Sequence, residues 1–191
     1  IVANMLSFSR KNHSGMIPCN LAELWAKAVE IASKDYDLGH RFDFNTIRII
    51  TEVDPDALEA PCEPDQIQQV FFNLLKNGAH AMQGNPEDRP PRFIFRTEKM
   101  DDNIAIFISD NGPGMPPELK KRIFEPFFTT KEPGVGTGLG LAVSYFIVTR
   151  THNGRMSVQS TPDAGTAFAI LLPLQQPRLH TPRPGEHPFR P

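Results

Sequence analysis

The chain has 191 residues, of which 39% are hydrophobic, and a formal net charge of −2 at pH 7. That length and apolar content suffice for one well-filled domain with appendages. The near-neutral charge gives no reason to propose a nucleic acid or a membrane surface as partner. Cys19 and Cys62 form neither a metal-spaced pair nor a disulfide framework, which favours a reducing cytoplasm.

No apolar stretch approaches the length of a transmembrane helix, and no signal peptide is evident. The first residue is Ile1 rather than Met, so we expect a fragment of a longer protein that is itself cytoplasmic or anchored to a membrane.

The first part of the chain predicts one helix and two extended segments. Asn20 and Glu23 have the spacing of a capping box, which predicts a helix through about Ser33. Its apolar face would carry Leu21, Leu24, Trp25, Ala28 and Ile31. Residues 46–53 alternate as a strand does, and residues 60–63 predict a short edge segment.

Residues 64–82 predict a long amphipathic helix. Pro64 suits a first helical turn, and apolar residues recur with helical spacing at Ile67, Val70, Phe71, Leu74, Leu75, Gly78 and Met82. Asn73 and Asn77 lie one turn apart beside this apolar face. Amides at such a border need partners. Either they satisfy neighbouring backbone groups, or Asn77 supplies an oxygen ligand to Mg²⁺.

A predicted hairpin, residues 92–99 and 103–109, delivers a carboxylate and two glycines to the edge of a pocket. Asp110 follows the second strand directly, where a carboxylate can accept from an exocyclic amine. Gly112 and Gly114 then allow backbone to approach a flat ligand closely.

A second glycine cluster leads into another helix. Gly136, Gly138 and Gly140 precede an apolar segment that predicts a helix through about Thr151, and such a loop offers free N–H groups to phosphate. Residues 155–160 and 166–172 predict a last hairpin, and residues 174–191 a disordered tail. The elements together predict a mixed sheet with helices on one face, a two-layer α/β sandwich.

Together these motifs resemble the four conserved boxes of bacterial sensor histidine kinases. Residues 73–77 resemble the N box, 110–114 the G1 box, 124–131 the F box and 136–141 the G2 box, in the family's order. The resemblance covers roughly residues 20–173. It implies the Bergerat-type ATP-binding fold of the GHKL superfamily, with an ATP lid formed by residues 124–135.

The resemblance also implies a division of the chain into three regions. Residues 1–15 would be the tail of a dimerisation and phosphoacceptor helix, 16–173 the catalytic ATP-binding domain, and 174–191 the C-terminal tail. The phosphoacceptor histidine is expected outside this fragment. His13 lacks the acidic and basic neighbours of an acceptor motif, and Gly15 interrupts a helix there.

At the adenine end, the resemblance implies that Asp110 hydrogen-bonds the amino group of ATP. Gly112, Gly114 and Met115 would shape the base pocket, and Thr166 would support it from the last hairpin.

At the phosphate end, the resemblance implies that Asn77 coordinates Mg²⁺, with Asn73 and Lys76 nearby. Lys131 would reach the phosphate tail, and Phe124 would belong to the lid. The residues implied to contact the phosphates through the glycine loop are Gly136, Thr137, Gly138, Leu139 and Gly140.

One position separates this chain from hydrolysing relatives such as gyrase, Hsp90 and MutL. They carry a glutamate base where this chain has Asn73, and an amide cannot take a proton from water. Asn73, Asn77 and Lys131 would therefore act by positioning and charge while ATP waits for a histidine nucleophile. The implied partners are the protein's own phosphoacceptor domain, in a homodimeric parent, and a response regulator whose aspartate receives the phosphoryl group.

Two alternatives stay open. The chain could be a serine kinase or ATPase of the same superfamily, or a degenerate module that binds nucleotide or only partner proteins. Gly78 departs from the family's usual alanine, at a cost of about 1 kcal/mol of helix propensity unless a close backbone contact needs it.

Overall fold

A computed structural model describes residues 15–35, 43–131 and 136–175. The predicted end of a dimerisation helix, with His13, lies outside these residues. So do lid residues 132–135 and the predicted tail beyond residue 175.

The described strands are β1 Ile17–Asn20, β2 Arg48–Val53, β3 Glu59–Cys62, β4 Arg92–Met100, β5 Asn103–Asp110, β6 Arg155–Thr161 and β7 Gly165–Pro173. The described helices are α1 Leu21–Ser33, α2 Pro64–Met82, α3 Pro117–Arg122 and α4 Gly140–Phe146. A π-helical turn, Ile147–Thr151, continues α4, and two short 3₁₀ turns occupy Phe44–Thr46 and Pro55–Ala57. The strand predicted from residue 46 therefore begins two residues later.

Five of these strands form a mixed sheet in the order β2-β4-β5-β7-β6. β2 runs parallel to β4, and the other neighbours are antiparallel. A second, two-stranded sheet pairs β1 with β3, so that Ile17 lies opposite Cys62. The two-layer α/β architecture is confirmed, although no pattern in the sequence predicted β1.

The core lies between the main sheet and helices α1 and α2. The ring of Trp25 on α1 stacks on Phe95 of β4 at 4.7 Å, and Phe71 of α2 meets Phe95 edge-on at 5.6 Å. The predicted apolar face of α1 was wrong at Ile31, which is 44% exposed, whereas Ala32 is fully buried. Ala28 and Ala32 lie one turn apart and are both fully buried, so the buried face of the last turn passes through Ala32 rather than through Ile31.

The predicted N-cap of α1 at Asn20 is confirmed. The Asn20 side-chain oxygen accepts from the N–H groups of Ala22 and Glu23, at 3.0 and 3.1 Å. The Asn20 amide donates in return to the Glu23 carboxylate. The two bonds to the Asn20 oxygen satisfy N–H groups that the first helical turn leaves free, and they fix where α1 begins.

Leu174 was wrongly assigned to a disordered tail: its N–H donates to the Asp102 carbonyl at 2.8 Å and its side chain packs against the core.

Cys19 and Cys62 are free and buried. In the described ranges, the helices are all too short or too polar to cross a membrane.

Thr97 is a polar residue buried in this core. Its side chain on β4 is 1% exposed, and its hydroxyl has no hydrogen-bond partner among the described residues. Because an unpartnered buried hydroxyl is costly, we expect Thr97→Val to raise the free energy of unfolding by about 1 kcal/mol. Denaturant unfolding would measure this, with exposed Thr51→Val as control. A less stable Thr97→Val protein would contradict the prediction.

Candidate nucleotide-binding site

Asp110 is the last residue of β5, and its carboxylate is largely buried and hydrogen-bonded through one oxygen. The N–H of Gly112 donates to its Oδ1 at 2.9 Å. Burial raises the pKa of Asp110 to about 6, although hydrogen bonds from the N–H groups of Gly112 and Thr166 oppose the rise. The site therefore contains a desolvated acceptor that is ionised at neutral pH.

The hydroxyl groups of Ser160 and Thr166 connect the turn after Asp110 to the last hairpin, β6–β7. Ser160 Oγ accepts from the N–H of Met115 at 2.8 Å and lies 3.0 Å from Thr166 Oγ1. The same hydroxyl donates to the Gly165 carbonyl at 2.9 Å. No local pattern in the sequence indicates Ser160, because its contact with Met115 joins residues 45 positions apart.

Gly114 requires a conformation and a space that only glycine has. Its φ is +69°, and a Cβ there would lie 2.0 Å from the Thr161 carbonyl oxygen. The turn after Asp110 is therefore pressed against the β6–β7 hairpin, which agrees with the close approach expected of this glycine.

Asn73 joins α2 to the start of α4. Its side-chain amide donates to the Gly140 carbonyl and to Ser144 Oγ, both at 3.1 Å. Ser144 is fully buried and donates back to Gly140 at 2.8 Å. The Asn73 amide is thus used to hold the glycine loop against α2, and it offers no group that could accept a proton.

Asn77 and Lys131 face the same space between α2 and the F-box segment. The Lys131 ammonium lies 3.4 Å from Asn77 Oδ1. Lys76, the neighbouring candidate, instead places its ammonium 3.4 Å from Asp35 and over the ring of Phe72. Of the polar candidates on α2, Asn73 and Asn77 therefore point toward α4 and Lys131, whereas Lys76 contacts the end of α1.

Asn77 offers one side-chain oxygen of the kind that a hard cation binds. Its Oδ1 already faces one positive charge, the Lys131 ammonium. Across the described ranges, no three His, Cys, Asp or Glu side chains gather closely enough to hold a metal unaided. A hard cation bound at Asn77 would therefore need further oxygen ligands that these side chains do not supply.

The glycine loop packs directly on the F-box segment. The Phe127 N–H donates to the Gly138 carbonyl at 3.0 Å, and Gly138 has φ of +65° with no room for a Cβ beside Phe127. The Leu139 N–H lies 3.4 Å from Thr137 Oγ1. Gly136 approaches Lys131, since a Cβ there would lie 3.1 Å from its side chain.

The F-box aromatic residues divide between core and surface. Phe124 contacts Tyr145 at 4.9 Å and Phe168 at 6.5 Å between ring centroids. Phe127 is 65% exposed, and Phe146 of α4 is 61% exposed. Phe124 therefore anchors the lid segment, whereas Phe127 and Phe146 present apolar surface to solvent.

A cavity of about 310 Å³ touches Asp110 and Thr166, whereas its described lining includes none of the candidates on α2, in the F-box segment or in the glycine loop. Ile94 and Ser109 line it. Ile94 follows the buried Phe93 on β4, and Ser109 precedes Asp110 on β5. Because successive strand residues point to opposite faces, this cavity borders the open face of the sheet. We therefore place the candidate nucleotide site on the helical face, between α2, the G1 turn and the glycine loop.

His152 fixes the end of the π-helical turn to the start of α2. Its Nε2 accepts from the Glu63 N–H at 3.0 Å, so Nδ1 carries the proton and donates to the Ile147 carbonyl at 2.9 Å. The ring is fully buried. Burial lowers the pKa of His152 below its usual 6.5, although the Ile147 carbonyl and the Glu63 charge oppose this shift.

That lowered pKa predicts a loss of stability in acid. The folded state binds the His152 proton more weakly than the unfolded state, so the neutral ring's contribution is complete above pH 6.5 and declines below it. The slope from one proton is at most about 1.4 kcal/mol per pH unit. The difference between the pH profiles of unfolding of the wild type and His152→Gln should show this decline, because Asp110 and the other titrating groups contribute alike to both, and His80→Gln is the matched control. An unchanged pH dependence in His152→Gln would contradict it.

Comparison with known proteins agrees with this geometry. A family model described as "Histidine kinase-, DNA gyrase B-, and HSP90-like ATPase" matches residues 62–176. Sporulation kinase E of Bacillus subtilis (strain 168) is 44% identical over 117 residues, which is 60% of this chain and 15% of that protein. Signal transduction histidine-protein kinase AtoS of Escherichia coli (strain K12) is 33% identical over 174 residues, 91% of this chain and 26% of that protein.

Solved structures give the same result. The catalytic domain of histidine kinase ThkA superposes with a TM-score of 0.68 at 28% identity, covering 84% of this chain and 96% of that one. ThkA in complex with the response regulator protein TrrA matches with a TM-score of 0.66 at 26% identity, over 91% of this chain and 46% of that one. The chain therefore belongs to this ATPase family, and within it to the ATP-binding catalytic domains of sensor histidine kinases. It spans only 15 to 26% of the length of the two curated relatives.

Proposed function

We propose that this chain binds ATP with Mg²⁺ and transfers the γ-phosphoryl group to a histidine on a helical domain outside residues 16–173. The observation that carries the proposal is the pairing of Asn77 Oδ1 with the Lys131 ammonium, opposite a desolvated Asp110 carboxylate. This arrangement offers an acceptor for the base at one end and positive charge for the phosphates at the other.

Each residue then has a defined role. Asp110 would accept from the adenine amino group in the pocket formed by the turn of Gly112, Gly114 and Met115. Asn77 would hold Mg²⁺, which neutralises phosphate charge when bound. Lys131 would turn from Asn77 to the phosphate tail.

The same proposal explains why ATP would not be consumed by water. Asn73 is hydrogen-bonded to Gly140 and Ser144 and, as an amide, cannot act as a general base. Catalysis would then consist of positioning and charge neutralisation until an imidazole arrives in line with the γ-phosphate. A GHKL serine kinase or ATPase would need a general base at position 73, and this chain has an amide there.

Exposed aromatic side chains support docking of the phosphoacceptor domain. Phe127 and Phe146 are more than half exposed, Tyr145 is 40% exposed, and a ring contact between Phe124 and Tyr145 joins their two segments. Exposed apolar surface of this kind marks interaction sites. We propose that an apolar helix face of the protein's own dimerisation domain covers it in a homodimeric parent, and that a response regulator then receives the phosphoryl group. The complex of the similar ThkA with TrrA supports that last step.

A nucleotide titration tests this function. We expect saturable binding of a non-hydrolysable ATP analogue that Mg²⁺ strengthens, and Asn77→Ala should remove most of that strengthening, roughly ten-fold in affinity. Gln68→Ala is the matched control, because nine residues along α2 place it on the opposite face from Asn77.

Two outcomes would contradict the proposal. Absence of nucleotide binding in the wild type would favour the degenerate module. Sustained ADP release from ATP by this chain alone would instead revive the ATPase alternative.

A further inference from the structure

Gly78 lies in the middle of α2, one residue after Asn77, and its missing side chain leaves room for a ring. A Cβ at Gly78 would lie 2.5 and 2.6 Å from two ring carbons of Phe93. It would also lie 3.3 Å from Asp110 Oδ2. Because the first two distances are shorter than real contacts allow, the Phe93 ring occupies the space where α2 would otherwise carry a side chain.

Phe93 is placed there by the pairing of β4 with β5. In that register Phe93 lies directly opposite Asp110, and its side chain is only 1% exposed. The ring therefore fills the space bounded by α2 and the Asp110 carboxylate. It can neither donate to nor accept from that carboxylate, and it excludes water from the Oδ2 side, in accord with the raised pKa of Asp110.

We propose that Phe93 is a positioning residue for base recognition and that Gly78 is the residue that admits it. Gly112 holds Oδ1 of Asp110, while the Phe93 ring keeps the side of Oδ2 dry and fixed. A donor amine then meets an acceptor for which water does not compete, and a desolvated acceptor binds such a donor more strongly. This inference rests on the proposed function, since the donor is the adenine amino group.

Phe95 supplies the matched control for a merely structural role. It lies on the same strand and the same face, is fully buried, and is paired with Ile108 rather than with Asp110. Phe93→Leu and Phe95→Leu each remove part of a buried ring and should lose similar stability. Only Phe93→Leu should change the behaviour of the Asp110 carboxylate.

The experiment compares Phe93→Leu, Phe95→Leu, Gly78→Ala and the double variant Gly78→Ala/Phe93→Leu. We expect Phe93→Leu to weaken the ATP analogue about ten-fold and to lower the pKa of Asp110, followed by NMR of its carboxyl carbon. The pH at which nucleotide binding is half lost should move the same way. Gly78→Ala should be destabilised, and Phe93→Leu should restore much of that loss in the double variant, giving a coupling that additive sites lack.

The outcomes separate the inference from the function. If the wild type binds no nucleotide, the proposed function fails, while the Asp110 titration and the Gly78–Phe93 coupling still decide whether the pair controls the carboxylate. If the wild type binds and Phe93→Leu matches Phe95→Leu in affinity and in the pKa of Asp110, the positioning role is overturned. Additive losses in the double variant would overturn the role of Gly78.

Discussion

Replacing Asp110 by Asn is expected to abolish measurable nucleotide binding while making the nucleotide-free protein more stable at neutral pH. An amide at this position keeps an oxygen for the Gly112 N–H, but its NH₂ group takes the place of the second carboxylate oxygen. A donor would then face the donor amine of adenine. Sites that lose a required acceptor in this way discriminate by several powers of ten, so we expect a loss of at least about 100-fold in affinity.

The gain in stability follows from the pKa of Asp110. Burial raises it from 3.8 to about 6, so the folded state holds this proton more tightly than the unfolded state. Above pH 6 the ionised carboxylate therefore costs stability, and that cost disappears as the pH falls toward 3.8. Asn carries no charge, so thermal unfolding at pH 7 to 8 should show a gain of about 2 kcal/mol. Asp102→Asn, at the exposed β4–β5 turn, should show neither effect.

Either half of this prediction can fail by itself. An Asp110→Asn protein that binds the ATP analogue as the wild type does would remove Asp110 from base recognition. A variant that is less stable than the wild type at pH 8 would show that the carboxylate is not under desolvation strain.

Gly114→Ala is expected to destabilise the fold by about 3 kcal/mol or more. Its φ of +69° costs an L-residue about 1 kcal/mol, and the added Cβ would lie 2.0 Å from the Thr161 carbonyl oxygen and 3.1 Å from that of Gly165. Both are backbone atoms of the β6–β7 hairpin, so relief requires moving that hairpin or the G1 turn. The base pocket would be displaced with them, and nucleotide affinity should fall together with stability.

Gly84→Ala is the matched control for that substitution. A Cβ at Gly84 would meet nothing within 4 Å, and its φ is not positive. Its effect should stay within about 0.5 kcal/mol in the same denaturant unfolding experiment. Equal stability of Gly114→Ala and wild type would mean that the turn tolerates a shift that this geometry forbids.

Local patterns were enough to predict most elements of this fold. The helical spacing of apolar residues gave α2 its bounds at Pro64 and Met82, and the capping residues gave the start of α1. The hairpin of β4 and β5 followed from two alternating runs around a polar turn. These signals are carried by neighbouring residues, so one sequence contains them.

Contacts between distant segments could not be predicted in the same way. The pairing of β1 with β3 joins Ile17 to Cys62, and the hydroxyl of Ser160 meets the N–H of Met115, 45 residues away. The close packing of the Phe93 ring against Gly78 is also a contact between distant segments. From the sequence, Gly78 could only be seen as a departure that a close contact might need, and the contact itself depends on the register of β4.

Helix α2 is hydrogen-bonded to both ends of the segment formed by α4 and its π-helical extension. Asn73 bonds to Gly140 where α4 begins, and His152 bonds to the N–H of Glu63 just after the extension ends. Two separate points of attachment restrict rotation of one helix relative to the other. A displacement of α4 at the exposed Phe146 would therefore be transmitted to α2, the helix that carries Asn77.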